Sequence, residues 1–373
     1  MTDSLPADPP SARRLTAVLP ELISSLRGEG TWFPAATSAI VFVIDGLGTR
    51  NLSRRAGHAR FLSGAMSKRS SARTVYPSTT AAALTSLLTG VSPGEHGVVG
   101  YRARIPGSDQ LVNQLHGWDN GTLAPSWLLT KSLLSREAAA GRPCFVASRT
   151  SYEHSGFTRA TLAGVQSIST NHLGDRVQAA ADAAAAHPGA IVYLYAPELD
   201  QVGHSRGSDS DAWGHAMENI DSAAHQLSRT LARGVGAVVT ADHGMVDVPA
   251  HRHRLLGEGD PLLDGVRLIG GEPRLLHLYV DGDAAPVAAR WRASESGRAW
   301  VLTREQAVHS GLFGPVADDV RERIGDVLVA ARAEVAYYDD REPDKASQQM
   351  VGQHGSFTDA ERIVPLIPLG AFA

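Results

Sequence analysis

Chemistry in this 373-residue sequence concentrates in Asp45, Thr80, Asp200, His204, Asp242, His243 and His354. Three carboxylates, three imidazoles and a hydroxyl are the donor set of a hard-to-borderline divalent cation, which takes about four N/O ligands. Grouped by position, Asp200, His204 and His354 make one three-ligand site, and Asp45, Asp242 and His243 another. Each keeps an open position. A cation lowers the pKa of a hydroxyl it holds. A pair of them about 4 Å apart stabilises both the entering and the leaving oxygen of a phosphoryl transfer. Thr80, one of three neighbouring hydroxyls, is a candidate to attack. It closes Tyr76-Pro77-Ser78-Thr79-Thr80 and opens the small-residue run Ala81-Ala82-Ala83, the signature of a turn entering a helix. Unpaired N–H groups and the positive end of the helix dipole welcome an anion there. The plain alternative is that Ser78 or Thr79 only caps the helix.

The elements that must position these groups are legible as alternating strands and helices. Residues 39–44, 190–195 and 236–241 are continuous apolar runs, the pattern of strands buried on both faces of a parallel sheet. Each leads into an acidic residue, and ligands of open α/β sheets lie beyond the carboxyl ends of the strands. Helical spacing predicts helices over 13–27, 126–140, 171–187 and 209–233, with a further strand over 143–148. The fold class expected is α/β, with a mainly parallel central sheet flanked by helices. Residues 1–12, polar and proline-rich, read as a disordered tail. The texture changes from about residue 250, so 13–250 and 350–373 are expected to form the core, with 251–349 a small α+β cap or insert. Strands over 274–280 and 300–303 and helices over 284–297 and 316–333 are expected within it. The apolar, proline-broken segment 363–369 suits an edge strand or a packed tail.

Composition narrows the function. The formal net charge is −4 with no block of like charge, which gives no support to a nucleic-acid surface or a polybasic membrane anchor. No apolar run reaches the roughly 18 residues of a membrane span, and the first residues lack the pattern of a signal peptide, so a cytoplasmic protein is expected. The lone Cys144 excludes an intrachain disulfide and a cysteine-based zinc site. Among the other histidines, His96 reads as structural, and for His251 and His253, which closely follow Asp242-His243, lining the site is the minor reading beside a surface or core role. With only Lys68, Lys131 and Lys345 in the chain, a phosphomonoesterase would rely on arginine for the extra phosphate charge.

In order along the chain, Val-Ile-Asp45-Gly, Tyr-Pro-Ser-Thr-Thr80, Leu-Leu-Thr-Gly-Val-Ser-Pro-Gly-Glu-His-Gly, Asp200-x-x-x-His204, Ala-Asp242-His243-Gly-Met and Gly-Gln-His354-Gly resemble the type I phosphodiesterase/nucleotide pyrophosphatase family of the alkaline phosphatase superfamily. The resemblance implies two divalent ions, zinc or alternatively manganese. It also implies a phospho-threonine intermediate on Thr80 and the two ligand sets given above. A small phosphate ester or nucleotide-like molecule is then the substrate, cleaved at a phosphodiester or pyrophosphate bond. A phosphomonoesterase or phosphonate hydrolase on the same scaffold, and a binding scaffold without catalysis, are the alternatives; the oligomeric state stays open. Two departures bear on the substrate. Tyr101 stands where nucleotide pyrophosphatases carry a phosphate-contacting Asn, with Arg102 and Arg104 nearby as charge donors. Ala81-Ala82-Ala83 replaces bulkier residues beside the nucleotide.

Overall fold

A computed structural model describes residues 5–67 and 69–373. The central sheet comprises β1 (Ser38–Ile44), β2 (Ser71–Arg73), β3 (Cys144–Ala147), β4 (Gln166–Ser167), β5 (Ile191–Ala196), β6 (Val235–Thr240) and, after the insert, a C-terminal strand Ile363–Gly370. In space the order is β2, the C-terminal strand, β6, β1, β5, β3, β4. The five strands from β6 to β4 run parallel. Every residue of β1 and β6 is buried. This two-sided burial is why those segments are unbroken apolar runs rather than alternating ones.

The C-terminal strand is not at an edge. It lies between β2 and β6, antiparallel to both. Residues 363–365 pair with β2 and residues 366–370 with β6, Pro365 and Pro368 included, so the sheet is mixed. Residues 5–12, expected as part of a disordered tail, lie against the body: the Asp8 carboxylate accepts from Arg362 at 2.8 Å. Residues 1–4 of that expected tail lie outside the described residues. The expected helix over 126–140 shortens to Leu133–Ala139.

The segment 251–349 holds a second sheet. Its strands are β7 (Val266–Glu272), β8 (Leu275–Val280), β9 (Ala299–Thr303) and β10 (Val327–Ala331), in the order β7-β8-β10-β9 and antiparallel throughout. The C-terminal strand is accordingly β11. The helix expected over 316–333 is absent: only Asp318–Arg321 is helical, and Val327–Ala331 is the strand between β8 and β9. The run Val327-Leu328-Val329-Ala330-Ala331 is short, apolar and buried throughout, a pattern that periodicity cannot separate from a buried helix. None of the described helices is long and apolar enough to cross a membrane.

Candidate active site

Thr80 is the first residue of α1 (Thr80–Thr89), and Thr79 is its N-cap. Neither plain capping role is realised. The Thr79 side chain makes no cap hydrogen bond, and the Ser78 hydroxyl donates to the Ser356 carbonyl at 2.7 Å. The Thr80 hydroxyl instead lies 3.1 Å from His243 Nε2.

Asp45 directly follows β1, and Asp242 and His243 follow β6 by one residue, so neighbouring parallel strands deliver them side by side. Asp200 and His204 leave β5 one turn later. They share one face of α2 (Glu198–Arg206), which brings Asp200 Oδ2 within 3.4 Å of His204 Nε2. His354 arrives on the loop before β11, held to the loop that precedes Thr80 by a bridge between Ser78 and Gly355. The sequence placed Asp200 at a strand end; a helical i, i+4 pair does the work instead.

The three histidines share one design. His204 Nδ1 donates to the Gly352 carbonyl at 2.8 Å, His354 Nδ1 to the Ser78 carbonyl at 3.0 Å, and His243 Nδ1 to the Gly244 carbonyl at 3.1 Å. A carbonyl only accepts, so each Nδ1 carries the proton and each Nε2 keeps a lone pair turned into the cluster. His204 and His354 then point lone pairs at each other across 3.3 Å. Two bare acceptors at that separation repel unless a cation or proton lies with them.

The carboxylates pose the same problem. Asp45 Oδ1, Asp200 Oδ1 and Asp242 Oδ2 are buried and have no hydrogen-bond partner. Burial, reinforced by Asp242 and Asp200, raises the Asp45 carboxyl well above the ordinary carboxylate range. Burial likewise raises Asp242, although His243 opposes the shift. Burial and its two imidazole neighbours push His354 well below the ordinary histidine value, so it stays neutral. Buried acids without partners beside imidazole lone pairs fit a divalent cation. Two triads have donor atoms within 4.8 Å of one another: Asp45, Asp242 and His243, and Asp200, His243 and His354. His243 belongs to both because its ring stacks on His354, with centroids 3.5 Å apart. The fold thus brings all seven residues into one cluster, with His204 beside the second triad.

The proposed substrate contacts divide. Tyr101 lines the cavity at Thr80, and its N–H donates to Glu272 Oε2 at 2.8 Å. Arg102 does not line that cavity: its guanidinium pairs with Glu342 at 2.7 Å. Arg104 is likewise engaged with Glu322. His251 and His253 do not line it either, and His253 packs against Tyr338. His96 is buried, bonded to Ser86 and lowered to about 3 by burial, in keeping with a structural role.

Two residues escaped sequence reading. The Tyr195 hydroxyl donates to Asp45 Oδ2. Its one signal is a tyrosine near the end of a buried strand, where the phenol needs a partner. Glu272, at the end of β7, reaches the cavity wall from the insert. Burial raises its carboxyl to about 8, against the Tyr101 N–H that lowers it. Nothing local in the sequence marks that residue.

Beyond the parallel strands of this α/β sheet lie gathered acids and imidazoles, a candidate metal-binding active site. The family model for type I phosphodiesterase/nucleotide pyrophosphatase matches residues 39–357, and the chain belongs to that family. Murine ectonucleotide pyrophosphatase/phosphodiesterase 5 shares the fold at a TM-score of 0.67 and 18% identity, over 89% of this chain and 88% of that one. An inactive threonine-to-alanine variant of it, in complex with AMP, superposes with the same TM-score at 17% identity. Phosphonoacetate hydrolase from Sinorhizobium meliloti 1021, in complex with phosphonoformate, matches at 0.67 and 21% identity, over 90% of this chain and 91% of that one. No curated protein matches the sequence.

Proposed function

We propose that this protein is a two-metal phosphodiesterase in which Thr80 is the nucleophile. The observation that carries the reading is the Thr80 hydroxyl at the head of α1, 3.1 Å from His243 Nε2 and beside buried carboxylate oxygens without partners. Asp45, Asp242 and His243 would hold one ion, and Asp200, His204 and His354 the other. Bound divalent ions would supply positive charge to the phosphoryl oxygens and favour the alkoxide of Thr80. The residues of the chain do the rest. The head of α1 offers backbone N–H groups to the phosphate, and the His–carbonyl bonds keep the imidazoles oriented. A bond forms from Thr80 Oγ1 to phosphorus as the bond to the leaving ester oxygen breaks. The threonine proton passes to solvent, and the leaving oxygen takes one from solvent. Water then attacks the phospho-threonine, returning Thr80 and releasing a phosphate monoester. The inactive threonine variant of the murine neighbour supports the assignment of a threonine.

A diester is favoured over a monoester or a phosphonocarboxylate by the charge of the cavity. Among the described residues no lysine or arginine lines it, while Asp45, Asp119, Asp200 and Glu272 do. An additional anionic group would find no cationic side chain there. Zinc-loaded protein should therefore hydrolyse bis-p-nitrophenyl phosphate faster than p-nitrophenyl phosphate. Thr80→Ala should abolish both activities with the melting temperature retained. Activity in verified metal-free protein would overturn the metal assignment, and activity in Thr80→Ala the covalent one.

A further inference from the structure

A second cavity, of about 320 Å³, shares no lining residue with the one at Thr80. Three arginines line it: Arg14, Arg73 and Arg362. Backbone pairing brings them together and holds them there. Ile363 of β11 is the register partner of Arg73 in β2, which sets Arg362 beside Thr74. The Thr74 N–H donates to the Arg362 carbonyl at 2.9 Å, and Arg362 Nη2 returns a bond to the Thr74 carbonyl at 3.0 Å. An isolated parallel bridge also joins Arg73 to Arg14, and the Arg73 N–H donates to the Arg13 carbonyl at 2.8 Å. Like charges fixed on neighbouring strands repel, so such a cradle is costly unless anions meet it.

Two carboxylates answer the three guanidinium groups. Asp8 sits in the cradle: its Oδ1 accepts from Arg362 Nη1 at 3.1 Å and its Oδ2 from Nη2 at 2.8 Å, a bidentate grip, with Arg73 Nε 3.5 Å from Oδ1. Asp359 takes Arg73 Nη1 at 2.6 Å. Arg14 is exposed, and its side chain has no partner among the described residues. One positive charge is therefore in surplus. Two donors also go unused: the Thr74 hydroxyl and Arg362 Nε are buried with no hydrogen-bond partner. A carboxylate has only two oxygens, and Arg362 engages both. A tetrahedral oxyanion brings four and, as a dianion, a second charge. Asp8 is also easily moved. Residues 5–9 have no regular secondary structure, so their departure breaks no ladder.

We propose that Arg14, Arg73 and Arg362 form a binding site for a phosphate-sized tetrahedral dianion, which takes the place of the Asp8 carboxylate and releases residues 5–9. Asp8 is the stand-in that shows how the anion is gripped, and the competitor that the anion must displace. The site is independent of the phosphodiesterase reading.

The test uses inorganic phosphate with the zinc-loaded protein. Ala7 is exposed, and the one native cysteine, Cys144, is buried, so Ala7→Cys accepts a fluorophore selectively. Phosphate should lower the anisotropy of that label saturably, and potassium chloride at matched ionic strength should not. Calorimetry then compares variants. One phosphate-binding event should weaken at least about fivefold in Arg14→Ala, which loses a charge-assisted contact. The same event should tighten at least about fivefold in Asp8→Asn, which raises the fraction of chains with the cradle open. Phosphate should also bind there at least about tenfold more tightly than acetate. An anisotropy unmoved by saturating phosphate, or lowered equally by chloride, would overturn the site, the second result meaning simple screening of an ion pair. An isotherm that neither substitution shifts would overturn it as well, because phosphate would then bind elsewhere. Acetate binding as tightly as phosphate would overturn the tetrahedral class of ligand.

Discussion

Two groups of buried charge in this protein are built on opposite terms. Arg274 and Glu361, both fully buried, meet through paired bonds of 2.9 and 3.0 Å. Arg274 also donates to the Val335 carbonyl, and Glu361 accepts from the Ser356 N–H and from the Thr358 hydroxyl. Both Glu361 oxygens are satisfied, and the pair fastens the β7–β10 insert to the core. Asp45, Asp200 and Asp242 are also buried, but each has an oxygen with no partner, and they repel one another. Burial by itself therefore does not mark a functional residue here. What sets the candidate site apart is three unsatisfied carboxylates gathered in one cluster with imidazole lone pairs, a cost that a fold bears where something else brings the missing charge.

The contrast is open to breakage at four points. Asp242→Asn should lower turnover by more than about a hundredfold, exceeding the usual effect of disturbing a metal's outer partners. In chelator-treated protein the same change should raise the melting temperature, since it removes a desolvated charge among like charges. A fall instead would mean that the acids stabilise the bare fold. Glu361→Ala should do the reverse. It strands Arg274 and should cost about 3–5 kcal/mol in denaturant unfolding, while the remaining folded protein keeps its zinc stoichiometry. Glu272 offers a milder case. Its folded value of about 8 lies above that of an unfolded glutamate. Between those values the folded state holds the proton that the unfolded state has lost, so stability falls as pH rises through that window. The slope is at most about 1.4 kcal/mol per pH unit. Glu272→Gln should flatten this decline between pH 5 and 8 in melts across pH, and an unchanged slope would remove Glu272 as its source. The smallest effect belongs to Tyr195→Phe. Freeing Asp45 Oδ2 should weaken zinc retention about tenfold in a chelator competition, with little change in melting temperature. Unaltered retention would make the tyrosine a packing residue only.

How far the sequence could be read follows the same division. Asp45, Asp242 and His243 were legible because each stands within three residues of the end of a buried apolar strand, so local pattern and site coincide. Strand positions in the core were legible for the same reason. His354 was legible only through its Gly-rich loop and the family order of motifs, as it lies on the far side of the insert. The segment Val327–Ala331 was misread because burial on all sides erases the period that separates helix from strand. The prolines of β11 suit an edge strand or a packed tail, yet it lies inside the sheet order because residues 363–365 pair with β2 and residues 366–370 with β6. Glu272, Tyr195 and the cavity at Thr80 depend on which surfaces meet, and no spacing along one segment carries that information. Arg102 shows the converse: a cation expected beside Thr80 from the sequence is taken by Glu342 in space.

The interior position of β11 also sets an order of events for the growing chain. Until Ile363–Gly370 leaves the ribosome, β6 is an unpaired edge for newly made protein, with its row of N–H and C=O groups open to any passing strand. His354 emerges only a few residues earlier. The last of the proposed metal ligands and the last interior strand thus arrive together, so the candidate site is completed at the moment the chain loses its stickiest edge. A chain ended at residue 360 should aggregate rather than accumulate as a soluble, partly active enzyme, which a sedimentation assay on the truncated product would show.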